Sequence, residues 1–165
     1  MLIDWPSVVS DLGPQLLRYF SGSFERSIAA DLVQETLIRL VQKNRAGDFD
    51  PSQGSIKAYA FGIARYVRLE LIKTKNPLTL VSDDSELDIP VAPVGMDNSD
   101  PSTFLRWAIT QLKPIEQEII LLMINEEIQL EEISMLLDTP TGTVKSHIHR
   151  AKDKLRKIME AHYAV

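Results

Sequence analysis

The feature that most constrains this chain is a break in it. Between Pro77 and Pro101 there is no Lys or Arg, Asp, Ser, Pro and Val dominate, and neither a helical nor an alternating apolar period persists. The stretch reads as a linker. Its acidity keeps it solvated, or lets it occupy a basic channel meant for nucleic acid. The 165 residues then divide into 1–76, 77–101 and 102–165, and both flanking blocks carry helical periods.

In the first block, Pro6 to Phe20 reads as a helix with Val8, Val9, Leu12, Leu16, Leu17 and Phe20 on its apolar face, kinked or interrupted at Gly13 and Pro14. A Ser-Gly-Ser turn leads to IAADLVQETLIRLVQ, where Ala29, Val33, Leu37, Leu40 and Val41 line one side. Asp31, Glu35, Ile38 and Gln42 line the other, a mixture that suits a solvated face or a partner helix. AGDFDPSQGS is rich in turn residues, and Ser55 is placed to cap a helix running to about Lys75. Ile56, Ala60, Ile63, Val67 and Leu71 are expected inward. Phe61, Arg65, Arg68 and Ile72 are expected outward, flanked by Lys57 and Lys75, with Tyr59 and Tyr66 on the shoulder. Such aromatics are either core or, interleaved with cations, a platform on which single-stranded bases stack, at about 1–3 kcal/mol per base.

In the last block, TFLRWAITQL turns Leu105, Ala108, Ile109 and Leu112 inward. Pro114 suits the first position of the next helix, whose Glu116 and Glu118 complement its positive end. LEEISMLLD places Leu130, Ile133, Leu136 and Leu137 on one face. Across Asp138 to Thr141 begins a two-faced helix, with a stripe of Val144, Ile148, Ala151, Leu155 and Ile158. Gly142, Ser146, His149, Arg150, Asp153, Arg156 and Lys157 lie opposite, flanked by Thr143 and Lys145. Taken alone, this is a surface helix whose late cations offset its dipole, or a helix laid in a DNA groove. The preceding helix and the short turn match a helix-turn-helix, in which the second helix enters the major groove by its N-terminal end. Thr143, Lys145, Ser146, His149 and Arg150 then reach base edges or phosphates, while Lys152, Lys154, Arg156 and Lys157 suit phosphate alone.

The net charge of −5 counts against nucleic acid until it is divided along the chain. Residues 76–101 carry six acids, and 114–138 carry seven without a cation; 143–157 holds six cations against Asp153. The helix therefore remains a basic patch. No cysteine is present, which excludes disulfides and thiolate-bound zinc and fits a reducing cytoplasm. No apolar run approaches the roughly 18 residues of a membrane span, and MLIDWPSVVSD lacks a basic leader, so a cytoplasmic protein without membrane insertion is expected. His147 and His149 are two apart, hence on different helix faces, and no carboxylate or cysteine completes a metal set. Phosphate-binding glycine loops and serine nucleophile elbows are missing, so neither a catalytic residue nor a cofactor is expected. The fold class is all-α: two small helical domains joined by a flexible acidic linker, the second a helix-turn-helix domain.

Four segments in this order resemble the extracytoplasmic-function sigma factors, the compact bacterial group with regions 2 and 4 only. ADLVQETLIRLVQ looks like the clamp-binding helix of region 2, and FDPSQGSIKAYAFGIARYVRLELIK like its promoter-melting part. LEEISMLLDTPTGTVKSHIHRAKDKL is similar to the region 4 helix-turn-helix. The resemblance implies a noncatalytic subunit that directs core RNA polymerase to promoters, with an anti-sigma factor as a further partner. It assigns Asp31, Gln34, Glu35 and Ile38 to the polymerase clamp helices. Phe49, Asp50, Ser52 and Gln53 would shape a pocket for a flipped minus-10 base, and Tyr59, Phe61, Arg65 and Tyr66 would support the strand. Thr143, Lys145, Ser146, His149 and Arg150 would read the minus-35 element in promoter DNA, and region 4 would also dock on the polymerase flap.

The chain departs from the family pattern at several positions. Tyr66 stands where many relatives have Asn, which bears on the captured base. Gln117 and Met123 stand where relatives often carry phosphate-holding arginines, which weakens the electrostatic part of DNA binding. Glu127 and Gln129 replace a Gly and a Ser or Thr, removing a turn residue and a cap. The loop between the first two helices is short. A competing reading is a sigma mimic that sequesters an anti-sigma factor without initiating transcription; a plain helix-turn-helix repressor leaves the first block unexplained.

Overall fold

The computed structural model describes residues 2–75, 89–96, 99–124 and 128–164, and every extended element among them is a helix. The chain divides into two compact units, Met1–Leu78 and Thr79–Val165.

The first unit packs α1 (Trp5–Ser21), α2 (Arg26–Arg45) and α3 (Ile56–Lys75), with a 3-10 turn at Pro51–Gln53 before α3. The Asp4 carboxylate starts α1 by accepting the Ser7 N–H at 3.4 Å. The helix continues through Pro14, which the sequence treats as a possible interruption. Leu12, Leu16 and Phe20 are buried as their spacing demands, joined by Gln15 and Tyr19, while Val9 is exposed. Gly47, at φ +80°, turns the chain after α2, a conformation that glycine takes without steric cost. Ser55 caps α3, its Oγ accepting the Ala58 N–H at 3.1 Å, as the sequence indicates.

On α3 the inward set includes Ala60, Ile63 and Val67, as expected, but also Phe61, Ala64 and Arg68. Phe61 is 1% exposed and meets Tyr19 edge to face with ring centroids 5.8 Å apart. Its expected outward placement is thus wrong. A helix packed against one neighbour buries one stripe; α3 lies against both α1 and α2 and buries a broader arc. Arg68 is buried as well, and its Nε donates to Ser23 Oγ at 2.9 Å.

The second unit contains α4 (Pro101–Thr110), α5 (Pro114–Met123), α6 (Leu130–Leu136) and α7 (Thr141–Tyr163). Asp100 caps α4 by accepting the Ser102 N–H at 2.9 Å, and Pro114 opens α5 from the position where its missing N–H costs nothing. Phe104, rather than the expected Leu105, faces inward. The Phe104 ring stacks on His162 at 3.9 Å, Ala108, Ile109 and Leu112 are buried as expected, and Leu105 at the edge of that face stays exposed. Ala92 and Met96 pack against the cluster of Phe104, Ala108 and Ile158. Part of the stretch read as linker therefore belongs to this unit's packing, while residues 76–88 lie outside the described residues, as do Glu127 and the Lys75 side chain.

α7 packs on α4, α5 and α6 through the expected stripe. Val144, Ala151 and Ile158 are buried, and Ile148 and Leu155 half-buried. The turn from α6 into α7 is tight enough to hold Asp138 at φ +48°, a left-handed conformation that Asp tolerates better than most residues. Thr139 N–H donates to Ser134 O at 3.0 Å, Ser134 Oγ donates back to Thr139 O, and Thr139 Oγ1 donates to Leu137 O at 2.9 Å. These bonds hold the strained turn without a glycine.

Candidate nucleic-acid interface

α7 presents its polar face to solvent because its stripe has already turned the other way. Thr143, Lys145, Ser146, His149 and Arg150, the residues expected to read DNA, are all exposed along its first three turns. Ser146 Oγ donates to Gly142 O at 3.2 Å, so its hydroxyl oxygen faces outward chiefly as an acceptor. Arg150 Nη2 lies 3.0 Å from His147 Nδ1, and its Nε lies 3.8 Å from Glu116 Oε1.

Farther along, Lys152 is exposed and Lys154 half-buried. Arg156 and Lys157 are exposed but engaged on their own helix: Asp153 receives Arg156 at 2.7 Å and Lys157 at 3.0 Å, and Arg156 also meets Glu160 at 3.2 Å. Hydrogen bonds from Lys157 and Arg156 hold the Asp153 carboxyl below its ordinary range. These two cations must leave solvent-screened partners before they can meet any other anion.

Gln117, which the family resemblance sets against a phosphate-holding arginine, has its amide turned inward. Its Nε2 donates to Leu112 O at 2.9 Å and faces Thr110 O at 3.4 Å, satisfying carbonyls that the end of α4 leaves open. The cap expected to be lost at Gln129 is covered from the other side. Glu132 accepts the Gln129 N–H at 3.2 Å, the reciprocal half of a capping box.

The first unit assembles a second surface. Asp50 Oδ1 accepts the Ser52 N–H at 3.0 Å and its hydroxyl at 2.7 Å, starting the 3-10 turn. Ser52's hydroxyl and then its backbone N–H hold the Asp50 carboxyl below its ordinary pKa. Phe49 lies against Tyr59 at 5.2 Å, and Gln53 is exposed at the end of the 3-10 turn. Tyr66, two turns beyond Tyr59, is 72% exposed, and Arg65 is half-buried. The fold thus brings Phe49, Asp50, Ser52, Gln53 and Tyr59 to one end of α3 and places Tyr66 along the same side. Phe61 is withdrawn beneath this surface rather than placed on it.

On α2, Asp31, Gln34 and Ile38 are exposed and Glu35 is half-buried. Arg39, which the sequence reading did not single out, takes Glu35 at 2.9 Å through Nε and Glu70 of α3 at 3.0 Å through Nη2. Hydrogen bonds to Glu70 and then Glu35 raise its pKa above the ordinary value. The i to i+4 pairing with Glu35 was legible in sequence; the cross-helix pairing with Glu70 was not.

Residues 8–77 match the family model for Sigma-70 region 2, and residues 105–155 match that for Sigma-70, region 4. The chain belongs to the extracytoplasmic-function group of the sigma-70 family. It is 25% identical over 139 residues to the ECF RNA polymerase sigma factor SigE of Mycolicibacterium smegmatis, covering 81% of this chain and 52% of that protein. It is 27% identical over 147 residues to SigW of Bacillus subtilis, an ECF RNA polymerase sigma factor, covering 78% of this chain and 74% of the relative. It thus spans about half the length of the first relative and about three quarters of the second. Two solved structures share the fold. The sigma factor RpoE in complex with the anti-sigma factor NepR from Bartonella quintana aligns with a TM-score of 0.68 at 23% identity, over 96% of this chain and 98% of that one. CnrH in complex with the cytosolic domain of CnrY aligns at 0.70 and 19% identity, over 95% of this chain and 88% of that one.

The all-helical architecture of this sigma-family chain agrees with both. Among the described residues, no helix is long and apolar enough to cross a membrane, and no group of three or more His, Cys, Asp or Glu is placed to hold a metal ion.

Proposed function

We propose that the chain is a sigma factor that binds core RNA polymerase and directs promoter-specific initiation, without catalytic activity of its own. The observation that carries this reading is the order of the matched regions, region 2 over residues 8–77 and region 4 over 105–155, each with an outward polar surface. In this reading residues 1–76 bind the polymerase clamp and melt the minus-10 element, and 102–165, with Ala92 and Met96 of the preceding stretch packed against them, read the minus-35 element and dock on the flap. Asp31, Gln34, Glu35 and Ile38 meet the clamp helices; Ile38, 52% exposed among polar groups, supplies an apolar anchor. Phe49, Asp50, Ser52, Gln53, Tyr59, Arg65 and Tyr66 accept the melted strand, with Phe61 supporting them from the core. Thr143, Lys145, Ser146, His149 and Arg150 read bases, and Lys152, Lys154, Arg156 and Lys157 meet phosphate. The site of action is the cytoplasm, and no cofactor is required.

Core polymerase supplies the phosphate-binding charge that a chain of net −5 lacks. In vitro transcription with core polymerase and a promoter library tests the reading: promoter-specific initiation is expected, and its absence overturns it. A Lys145→Glu, Arg150→Glu double variant is expected to lose initiation from minus-35-dependent promoters while still binding core polymerase.

One observation favours a second reading, a sigma mimic that sequesters an anti-sigma factor. The Gln117 amide serves the protein's own backbone where relatives present an arginine to phosphate. Tight anti-sigma binding together with failure to open any library promoter would establish that alternative.

A further inference from the structure

Arg150 is exposed, yet its guanidinium is held from two sides. Glu116 reaches it from α5 with a side chain that is only 5% exposed. The Glu116 Oε2 oxygen accepts the Lys113 N–H at 3.3 Å, which fixes the carboxylate and leaves Oε1 facing Arg150 Nε at 3.8 Å. His147, one turn before Arg150, places Nδ1 3.0 Å from Nη2. That contact is a hydrogen bond only while Nδ1 is unprotonated, and burial, followed by the Arg150 charge, keeps the imidazole pKa below its ordinary value. Lys113 acts in the same direction and Glu116 against it.

An unheld arginine on an exposed helix is a loose cation that serves phosphate as readily as base. A guanidinium is a planar fork of five donors. With Nε turned to Glu116 and one Nη2 hydrogen turned to His147, the outer Nη1/Nη2 end stays available for two parallel hydrogen bonds. Among base edges in the major groove, guanine offers the matching pair of acceptors, O6 and N7. We propose that Glu116 and His147 are positioning residues that hold the Arg150 guanidinium edge-on to a guanine of the promoter, making this arginine a specificity determinant rather than a phosphate contact. The inference rests on the promoter-recognition reading.

The test uses the full chain in holoenzyme with core polymerase, on promoters randomised across the minus-35 element. The wild-type chain is expected to prefer guanine at one position, and Arg150→Ala to abolish that preference. His147→Leu is expected to reduce it about ten-fold, the low end of a bidentate base contact. His147→Asn returns an acceptor oxygen to the place of Nδ1 and is expected to restore the preference to within about two-fold of wild type. Glu116→Gln is expected to reduce it about three-fold. In an Arg150→Ala background, His147→Leu should change nothing further. A His147→Leu variant that lowers initiation equally on every promoter, with the guanine preference intact, overturns the proposal. So does failure of His147→Asn to rescue, or an undiminished His147→Leu effect without Arg150. Promoter-specific initiation that Arg150→Ala leaves unaltered also overturns it, whereas no promoter-specific initiation by the wild-type chain is the distinct failure of the sigma-factor reading.

Discussion

α3 and α7 have the same sequence grammar, an apolar stripe opposed by cations and polar groups, yet the fold uses them differently. α7 buries only its stripe, and its polar face stays open through Thr143, Lys145, Ser146, His149 and Arg150. α3 is enclosed by two helices, so an aromatic and an arginine from its other side, Phe61 and Arg68, are drawn into the core. The surface that α3 leaves open includes its N-terminal end and the edge bearing half-buried Tyr59 and exposed Tyr66. The number of neighbours packed against a helix, more than its own composition, decides how much of its surface can recognise anything.

The contrast can be tested most strongly at Phe61. Phe61→Ala is expected to destabilise the first unit by about 3–5 kcal/mol, the usual cost of truncating a buried aromatic. Trp5 and Trp107, the chain's two tryptophans, lie one in each unit. Denaturant unfolding followed at Trp5 in a Trp107→Phe background should therefore shift strongly. An unchanged midpoint would mean that Phe61 is a surface residue after all.

A smaller effect is expected at Tyr66. Tyr66→Ala should leave that midpoint alone and weaken capture of the melted strand by about 1–3 kcal/mol, the scale of one base stacked on one ring. Permanganate footprinting of the open complex reads it, and undiminished melting would remove this edge of α3 from the interface.

The turn that aims α7 provides a third and smaller test. Asp138→Gly relieves a left-handed residue but enlarges the unfolded ensemble, leaving a net stabilisation of roughly 0.5 kcal/mol. Thermal unfolding followed at Trp107 in a Trp5→Phe background measures it. A clear loss instead would show that the Asp138 side chain holds the turn.

The subtlest difference is in pH response. All three histidines lie in the second unit. His147 has a folded pKa below its ordinary 6.5, chiefly from burial and then from Arg150, with Lys113 adding and Glu116 opposing. As pH falls below about 6.5 the unfolded chain takes up this proton before the folded chain does, so stability declines, levelling off below the folded pKa. The Trp107 signal should therefore register earlier unfolding at pH 5.5 than at pH 7.5, and His147→Asn should reduce that difference. The same decline in the His147→Asn variant would assign it to other groups.

The sequence by itself determined the helices and where α3 and α5 begin, while it started α4 two residues late. Ser55, Pro114 and the stripe from Val144 to Ile158 act through residues one turn away, and neighbours at that distance can be read from spacing. It also determined that the helix after Asp138 sets an apolar stripe against a polar, cationic face, and the ordered segments were enough to suggest the family. The tertiary structure alone decided that Phe61 lies inside, that Phe104 replaces Leu105 in the core, that Ala92 and Met96 pack against that core, and that Glu116 meets Arg150. Each depends on which element arrives from elsewhere in the chain. A helical period specifies a face but not its width, its exact phase in a short helix, or the partner that reaches it, and those are fixed when distant segments pack together.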